Sequence, residues 1–139
     1  MALSDENRKA IVKEIKFAVK KMEEMKKPPE KLYYFSAVFG ILHRIYNIDY
    51  DPELVYAHFI LRSTHDAFQI RLKAFEVGGD TTVSISKEQL SKLSSLSKQF
   101  ANKFGRKQEI DSILKKFTIL LYSTTGNGYY LMQKGVLKI

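Results

Sequence analysis

The segment from Phe59 to Ile85 most constrains the fold, because its three parts suggest a strand, a helix and a second strand. It begins with a short apolar run, and serine, threonine and aspartate then cluster at residues 63–66, where a helix would start. A glycine pair follows the helical stretch, and the last four residues alternate polar and apolar as strands do. The sequence therefore predicts a βαβ crossover at about residues 57–86.

Residues 52–76 also allow a second interpretation. Asp51-Pro52-Glu53 is a favourable helix start, and leucine or phenylalanine recurs every seven residues from Leu54, which fits one helix over the whole segment. Serine, threonine and aspartate in a helix interior compete for the backbone hydrogen bonds. For this reason we prefer a turn of helix at 52–56 followed by a strand.

The N-terminal part predicts a basic helix. Ser4 or Asp5 can cap it, and its apolar residues recur at spacings of three and four among lysines. It ends before Pro28, because proline removes a backbone donor and constrains the residue before it. We expect residues 32–37 to form a short strand or an extended entry into a helix over residues 38–46.

The C-terminal part predicts two helices and a hairpin. Ser86 caps the first helix and Gly105 ends it, and the second runs over residues 108–116 into an apolar run. A turn at residues 125–128 then leads to an edge strand over residues 129–139. The predicted fold class is α/β (α+β): a single domain of 139 residues with a mixed sheet, flanking helices, an N-terminal basic helix and a C-terminal hairpin.

The composition favours an anionic partner. The formal net charge is +8, and the chain has no cysteine, so disulfides and zinc–cysteine sites are excluded. The N-terminus carries charges where a signal peptide needs an apolar stretch, and no apolar run of about 18 residues is present. We expect a cytoplasmic protein whose first-choice partner is nucleic acid, with a membrane surface second.

Catalytic and metal-binding signatures are missing from the sequence. The histidines His43, His58 and His65 lack the paired spacing of metal ligands, and His43 is interpreted as a hydrogen-bonded histidine at the core edge. The acidic residues at 49–53 fit a solvated loop and a helix cap, and residues 126–128 fit a turn rather than a phosphate loop. We expect no enzyme activity, no cofactor and no metal.

Three blocks of sequence carry a resemblance to a known family. They are Ile41-Leu42-His43-Arg44-Ile45, the segment from Ile60 through Gln69-Ile70 to Gly78, and the segment from Asp111 to Leu120. In order and spacing they resemble the small regulatory, tRNA-binding subunit of the KEOPS complex (EKC in eukaryotes), which installs threonylcarbamoyl-adenosine on tRNA. The resemblance implies a non-catalytic protein that docks on the complex's atypical kinase-ATPase subunit, stimulates it, and holds the 3′ CCA end of tRNA. The alternative is a stand-alone basic helical nucleic-acid-binding protein.

Two sets of candidate residues accompany this interpretation. Basic and aromatic groups hold single-stranded RNA ends, and the residues placed nearest such a surface are Arg44, Arg62, His65, Lys103, Arg106 and Lys107. A regulatory subunit also needs an apolar interface, for which the candidates are Phe68, Leu72, Phe75, Ile110 and Ile113. That interface would take the kinase subunit or a second copy of this chain, as a homodimer.

Overall fold

In the computed structural model about 80% of the described residues are helical. It describes residues 3–76 and 85–138, and the side chains of all of these except residues 74–76, 126 and 129. The helices are α1 (Asp5–Glu24), α2 (Pro28–Tyr46), α3 (Pro52–Glu76), α4 (Lys87–Gly105), α5 (Asp111–Ser123) and α6 (Gly126–Gln133). No β-strand occurs within the two described ranges, so the predicted α/β class with a mixed sheet is wrong.

The predicted crossover fails because its first strand lies inside α3. The residues spaced by seven, Leu54, Leu61 and Phe68, are fully buried along one side of this helix. The Thr64 hydroxyl donates to the carbonyl of Ile60 at 2.8 Å, so it is satisfied within the helix that it was expected to disturb. The single-helix interpretation of residues 52–76 is confirmed. Residues 82–84, which belong to the second predicted strand, lie outside the described residues.

Two further predicted extended segments are helical. Residues 32–37 belong to α2, whose first turn contains Pro28 and Pro29; proline is well placed there because its missing N–H has no partner at a helix start. The predicted hairpin is wrong, because residues 129–133 of its strand belong to α6 and residues 134–137 form turns and bends rather than a strand. Gly128 in this helix is required by packing, since a Cβ there would lie 1.9 Å from the Tyr122 carbonyl oxygen.

The predicted helix ends set by local chemistry are confirmed. Ser4 caps the basic helix α1 and accepts a hydrogen bond from the backbone N–H of Asn7 at 3.1 Å. Ser86 and Gln89 form a reciprocal capping box at the start of α4, which ends at Gly105 as predicted.

Five helices pack in the cyclic order α1, α2, α3, α5, α4, and each contacts the next around the ring. The core inside the ring contains large buried phenylalanines, among them Phe35, Phe100 and Phe117. The last helix, α6, packs on α5. Among the described residues α3 contacts neither α1 nor α4, so α3 and the α1–α4 pair form separate faces of the bundle.

Each helix of the ring buries one side and exposes the other, as amphipathic helices of a bundle do. In the part of the chain that the structure describes, no helix combines the length and the apolar character needed to cross a membrane.

Candidate nucleic-acid interface

A stripe of lysines runs along the exposed side of α1. Lys9, Lys13, Lys16 and Lys20 follow one another at spacings of four, three and four, which places them on one side of a helix, and all four are exposed. At a rise of about 1.5 Å per residue the stripe extends about 16 Å. The helix α1 therefore presents a straight row of positive charge.

The neighbouring helix α4 presents polar and basic residues with the same spacing. Ser91, Ser95, Lys98 and Asn102 repeat at four, three and four, and from Gln89 to the end of α4 no acidic residue occurs. Serine and asparagine side chains donate hydrogen bonds to phosphate and sugar oxygens. This face of α4 therefore complements the lysine stripe.

The two helices pack closely near the C-terminus of α4. A Cβ added to Gly105 would lie 3.1 Å from Cγ2 of Val12, which is tighter than an ordinary van der Waals contact. A side chain at residue 105 would require the Val12 side chain to shift by a few tenths of an ångström. The short separation keeps the lysine stripe and the polar face of α4 on either side of one seam.

Three adjoining depressions follow this seam, with volumes of about 620, 260 and 790 Å³. Lys16 lines the first and second, and Lys98 lines the second and third, so they form one continuous feature that we call the α1–α4 groove. Ten basic and two acidic side chains line it. Those not yet named are the basic residues Arg8, Lys26, Lys31, Lys87 and Lys107 and the acidic residues Asp5 and Glu23.

Most of this positive charge is not neutralised by the protein. No carboxylate that the structure describes lies within 4.0 Å of the four stripe lysines or of Lys98. One exception is Lys107, whose Nζ lies 3.0 Å from Oδ1 of Asp5, and this hydrogen bond and charge lower the pKa of the Asp5 carboxyl. A cleft with one dominant sign of charge concentrates ions of the opposite sign, so the groove is suited to a polyanion.

The six predicted RNA-binding residues do not converge on one surface. Lys107 lines the groove, and Lys103 and Arg106 lie at the same end of α4. Arg44 lies on α2, where NH2 of its guanidinium is 3.8 Å from Oε1 of Glu14.

The two remaining predicted residues, Arg62 and His65, lie on α3, which does not contact α1 or α4 in the described ranges. The His65 ring packs against the rings of Phe35 and Phe39 at centroid distances of 6.4 and 5.3 Å. Its Nδ1 lies 3.1 Å from Oδ1 of Asp66. The contacts of His65 are therefore largely internal ones.

The histidines gather between α2 and α3, away from the groove. The rings of His43 and His58 lie 5.3 Å apart, and Nδ1 of His58 is 3.4 Å from the Tyr46 hydroxyl. Burial lowers the pKa of His58, and the nearby His43 and Arg62 lower it further. His43 was predicted to lie at the edge of the core, but its side chain is exposed. The buried histidine at this edge is His58.

No group of three potential metal ligands occurs among the described residues. Of the acidic residues at 49–53, Asp49 accepts hydrogen bonds from the Ser4 backbone N–H at 3.0 Å and from the Asn7 side chain at 2.9 Å. These bonds lower the pKa of the Asp49 carboxyl and connect the loop before α3 to the start of α1. The role of Asp49 is thus explained by the fold.

The predicted partner residues are mostly in the core. Phe68, Ile110 and Ile113 are buried and Leu72 is partly buried against the core, whereas the side chain of Phe75 lies outside the described residues. Buried side chains cannot contact a partner while the bundle is intact. The exposed apolar residues of α3 lie on its opposite side.

None of the four stripe lysines was among the predicted binding residues. A signal was present in the sequence, since the lysine spacing of four, three and four matches that of the apolar stripe that predicted α1. The predicted residues came instead from the blocks that resemble KEOPS and from the segment 103–107 at the end of α4.

Comparison with models of protein families, with curated proteins and with solved structures found no match.

Proposed function

We propose that this protein binds nucleic acid through the α1–α4 groove and acts by binding rather than by catalysis. The observation that carries the proposal is the row Lys9, Lys13, Lys16 and Lys20 beside a face of α4 that has no acidic residue beyond Glu88. Lysine ammonium groups bind phosphates as point charges. The groove accordingly favours the sugar–phosphate backbone over base edges.

The size of the groove fits a nucleic-acid strand. A strand of B-form DNA presents one phosphate per about 3.4 Å of helix axis, so the stripe of about 16 Å is long enough to contact several phosphates. Ser91, Ser95 and Asn102 supply further donors along the opposite side of the seam. We expect little sequence preference and a strong dependence of affinity on salt.

A membrane surface fits the groove less well. Helices that lie on a membrane insert an apolar side next to their cationic residues. On α1 the neighbouring large apolar residue is Phe17, which is 54% exposed, and the groove is concave where a lipid surface needs a convex or flat one. These features favour a strand over a bilayer.

The KEOPS role implied by the resemblance stays a prediction. The second block begins with residues of the first strand in the predicted crossover, and in this chain residues 60–62 lie inside α3. The geometry therefore supports the alternative better, a stand-alone basic helical nucleic-acid-binding protein. A tRNA remains one possible ligand of that protein.

The test is a titration of fluorescently labelled single-stranded and duplex oligonucleotides, followed by anisotropy at several salt concentrations. The double variant Lys13→Glu/Lys16→Glu should bind more weakly by on the order of tenfold or more, and the slope of log affinity against log salt should fall by about 1.4 to 1.8. The matched control is Lys73→Glu/Lys115→Glu, which makes the same charge change at exposed positions of α3 and α5 that do not line the groove. The control should keep most of the affinity.

Equal losses in the two double variants would mean that only net charge matters, and the groove would not be the site. Binding of anionic vesicles without binding of oligonucleotides would replace the proposal by a membrane function. Comparing full-length tRNA with tRNA that lacks its CCA end adds a further distinction. Equal affinities are expected from backbone binding, whereas loss of affinity on trimming would favour the KEOPS-like role.

A further inference from the structure

The outward side of α3 is apolar. Tyr56, Phe59 and Ile70 are 58%, 71% and 66% exposed, and the smaller residues Ser63 and Ala67 lie between them on the same side. We call these five residues the α3 outer face. A solvated helix usually exposes polar residues there, so this face differs from the lysine-rich outer side of α1.

The sequence spacing of the five residues in the α3 outer face reads the same from either end. Its members are separated by three, four, four and three residues, with Ser63 at the centre. If a second copy of α3 lies antiparallel with a two-fold axis at Ser63, Tyr56 meets Ile70 and Phe59 meets Ala67. Phe59 then lies against the small Ala67, Tyr56 and Ile70 form an apolar pair, and Ser63 at the centre lets the helices approach closely.

Charge adds a second element of self-complementarity. Arg62 and Asp66 are both exposed along the edge of the face that lies toward α2. In the antiparallel arrangement equivalent edges meet, and Arg62 of one copy lies within about two residues, or about 3 Å along the axis, of Asp66 in the other. The two-fold axis produces this ion pair twice.

We propose that the partner of the α3 outer face is a second copy of this chain, and that two α3 helices pack antiparallel about Ser63 in a symmetric dimer. A two-fold interface needs one surface that is complementary to itself, and the palindromic spacing together with the charges of Arg62 and Asp66 meets that requirement. The inference does not depend on nucleic-acid binding. Because α3 does not contact α1 or α4 in the described ranges, the α1–α4 groove stays open in both copies.

Cysteine crosslinking tests the geometry directly, because the chain has no native cysteine. Ser63→Cys places two thiols at the proposed axis, and a disulfide forms when the Cα atoms are about 4.4 to 6.8 Å apart. Mild oxidation should convert Ser63→Cys to a covalent dimer. The matched control Ser95→Cys, on the exposed side of α4, should remain uncrosslinked under the same conditions.

Exchanging the charges of Arg62 and Asp66 tests the proposed ion pair, with dimerisation measured by analytical ultracentrifugation. Arg62→Asp and Asp66→Arg should each weaken the dimer by about tenfold or more, because each places like charges together at two points. The double variant Arg62→Asp/Asp66→Arg should restore dimerisation. These positions are exposed, so the variants should keep the fold, which circular dichroism would verify.

A wild-type chain that remains monomeric at about 1 mM would overturn the proposal, since it would show no useful self-affinity. A wild-type dimer that fails to crosslink through Ser63→Cys, or that is equally stable in the single and double charge variants, would also overturn it. Such a dimer would use another face.

Discussion

Arg8 on α1 donates a hydrogen bond of 2.8 Å through Nη1 to the carbonyl oxygen of Phe104, near the end of α4, and its guanidinium carbon lies 4.4 Å from the centroid of the Phe104 ring. The C-terminal turn of a helix carries partial negative charge on its carbonyl groups. A guanidinium is well suited to this position because it donates to the carbonyl and stacks on the ring. The contact fastens α1 to α4 at one end of the groove.

Arg8→Ala should lower the free energy of unfolding by about 2 kcal/mol, since it removes a charge-assisted hydrogen bond and a cation–π contact. Urea denaturation provides the measurement. Lys9→Ala changes the charge equally at the next residue, which is exposed, and should alter stability by less than about 0.5 kcal/mol. Similar effects of the two variants would show that the Arg8–Phe104 contact does not stabilise the fold.

Lys107→Gly should stabilise the protein while weakening nucleic-acid binding. Lys107 has a φ of 56°, a left-handed conformation that costs an L-residue about 1 kcal/mol or more and costs glycine little. Its ion pair with Asp5 is exposed on both sides and should contribute little. We expect a gain of about 1 kcal/mol in urea denaturation.

The control for this prediction is Lys107→Ala, which removes the same charge but keeps the unfavourable φ. Both variants should bind oligonucleotides more weakly, and only the glycine variant should unfold at a higher urea concentration. If alanine and glycine gave equal stability, the left-handed conformation would not be a source of strain.

The stability of the protein should fall as the pH decreases from about 7.5 to about 5.5. Burial lowers the pKa of His58 in the folded state below its unfolded value of about 6.5, so the unfolded chain takes up the proton first. The contribution is fully present above the unfolded pKa and is lost progressively below it, down to the folded pKa. His58→Gln, which does not titrate, should lose less stability over the same pH interval. Parallel pH profiles would show that another group controls the effect.

A pair of substitutions distinguishes a helix from a strand at residues 59–62. In a strand Phe59 and Leu61 would share one face, whereas in α3 Leu61 is fully buried and Phe59 is 71% exposed. Leu61→Ala should therefore cost about 2 to 5 kcal/mol. Phe59→Ala should cost much less when dilute protein is unfolded with urea, and comparable losses would favour the strand.

The helix ends that were predicted correctly depend on contacts within a few residues. The hydroxyls of Ser4 and Ser86 accept hydrogen bonds from backbone groups three positions away, so the local sequence contains both partners. Residues 59–64 differ because their helical state is supported by burial of Leu61 against residues distant in the chain. Local propensity favoured a strand at residues 59–62 followed by a helix start, and tertiary packing prevailed.

The candidate site was only partly predictable for a related reason. The stripe from Lys9 to Lys20 follows from the spacing on one helix and could have been found. The other side of the groove comes from α4, and no local pattern states that Ser95 and Lys98 lie beside α1. Net charge predicted an anionic partner but could not indicate which face would be suited to it.

The ring order of the helices also has a consequence for folding. The α1–α4 contact joins segments separated in sequence by two helices, and closing such a long loop carries an entropic cost that neighbouring helix pairs avoid. We therefore expect α4 to join α1 late in folding, which makes the groove one of the last features to form. A ligand that binds only the closed groove stabilises the folded state by RT ln(1 + [L]/Kd). Nucleic acid bound in the groove would then hold the first and fourth helices together and raise the temperature at which the protein unfolds.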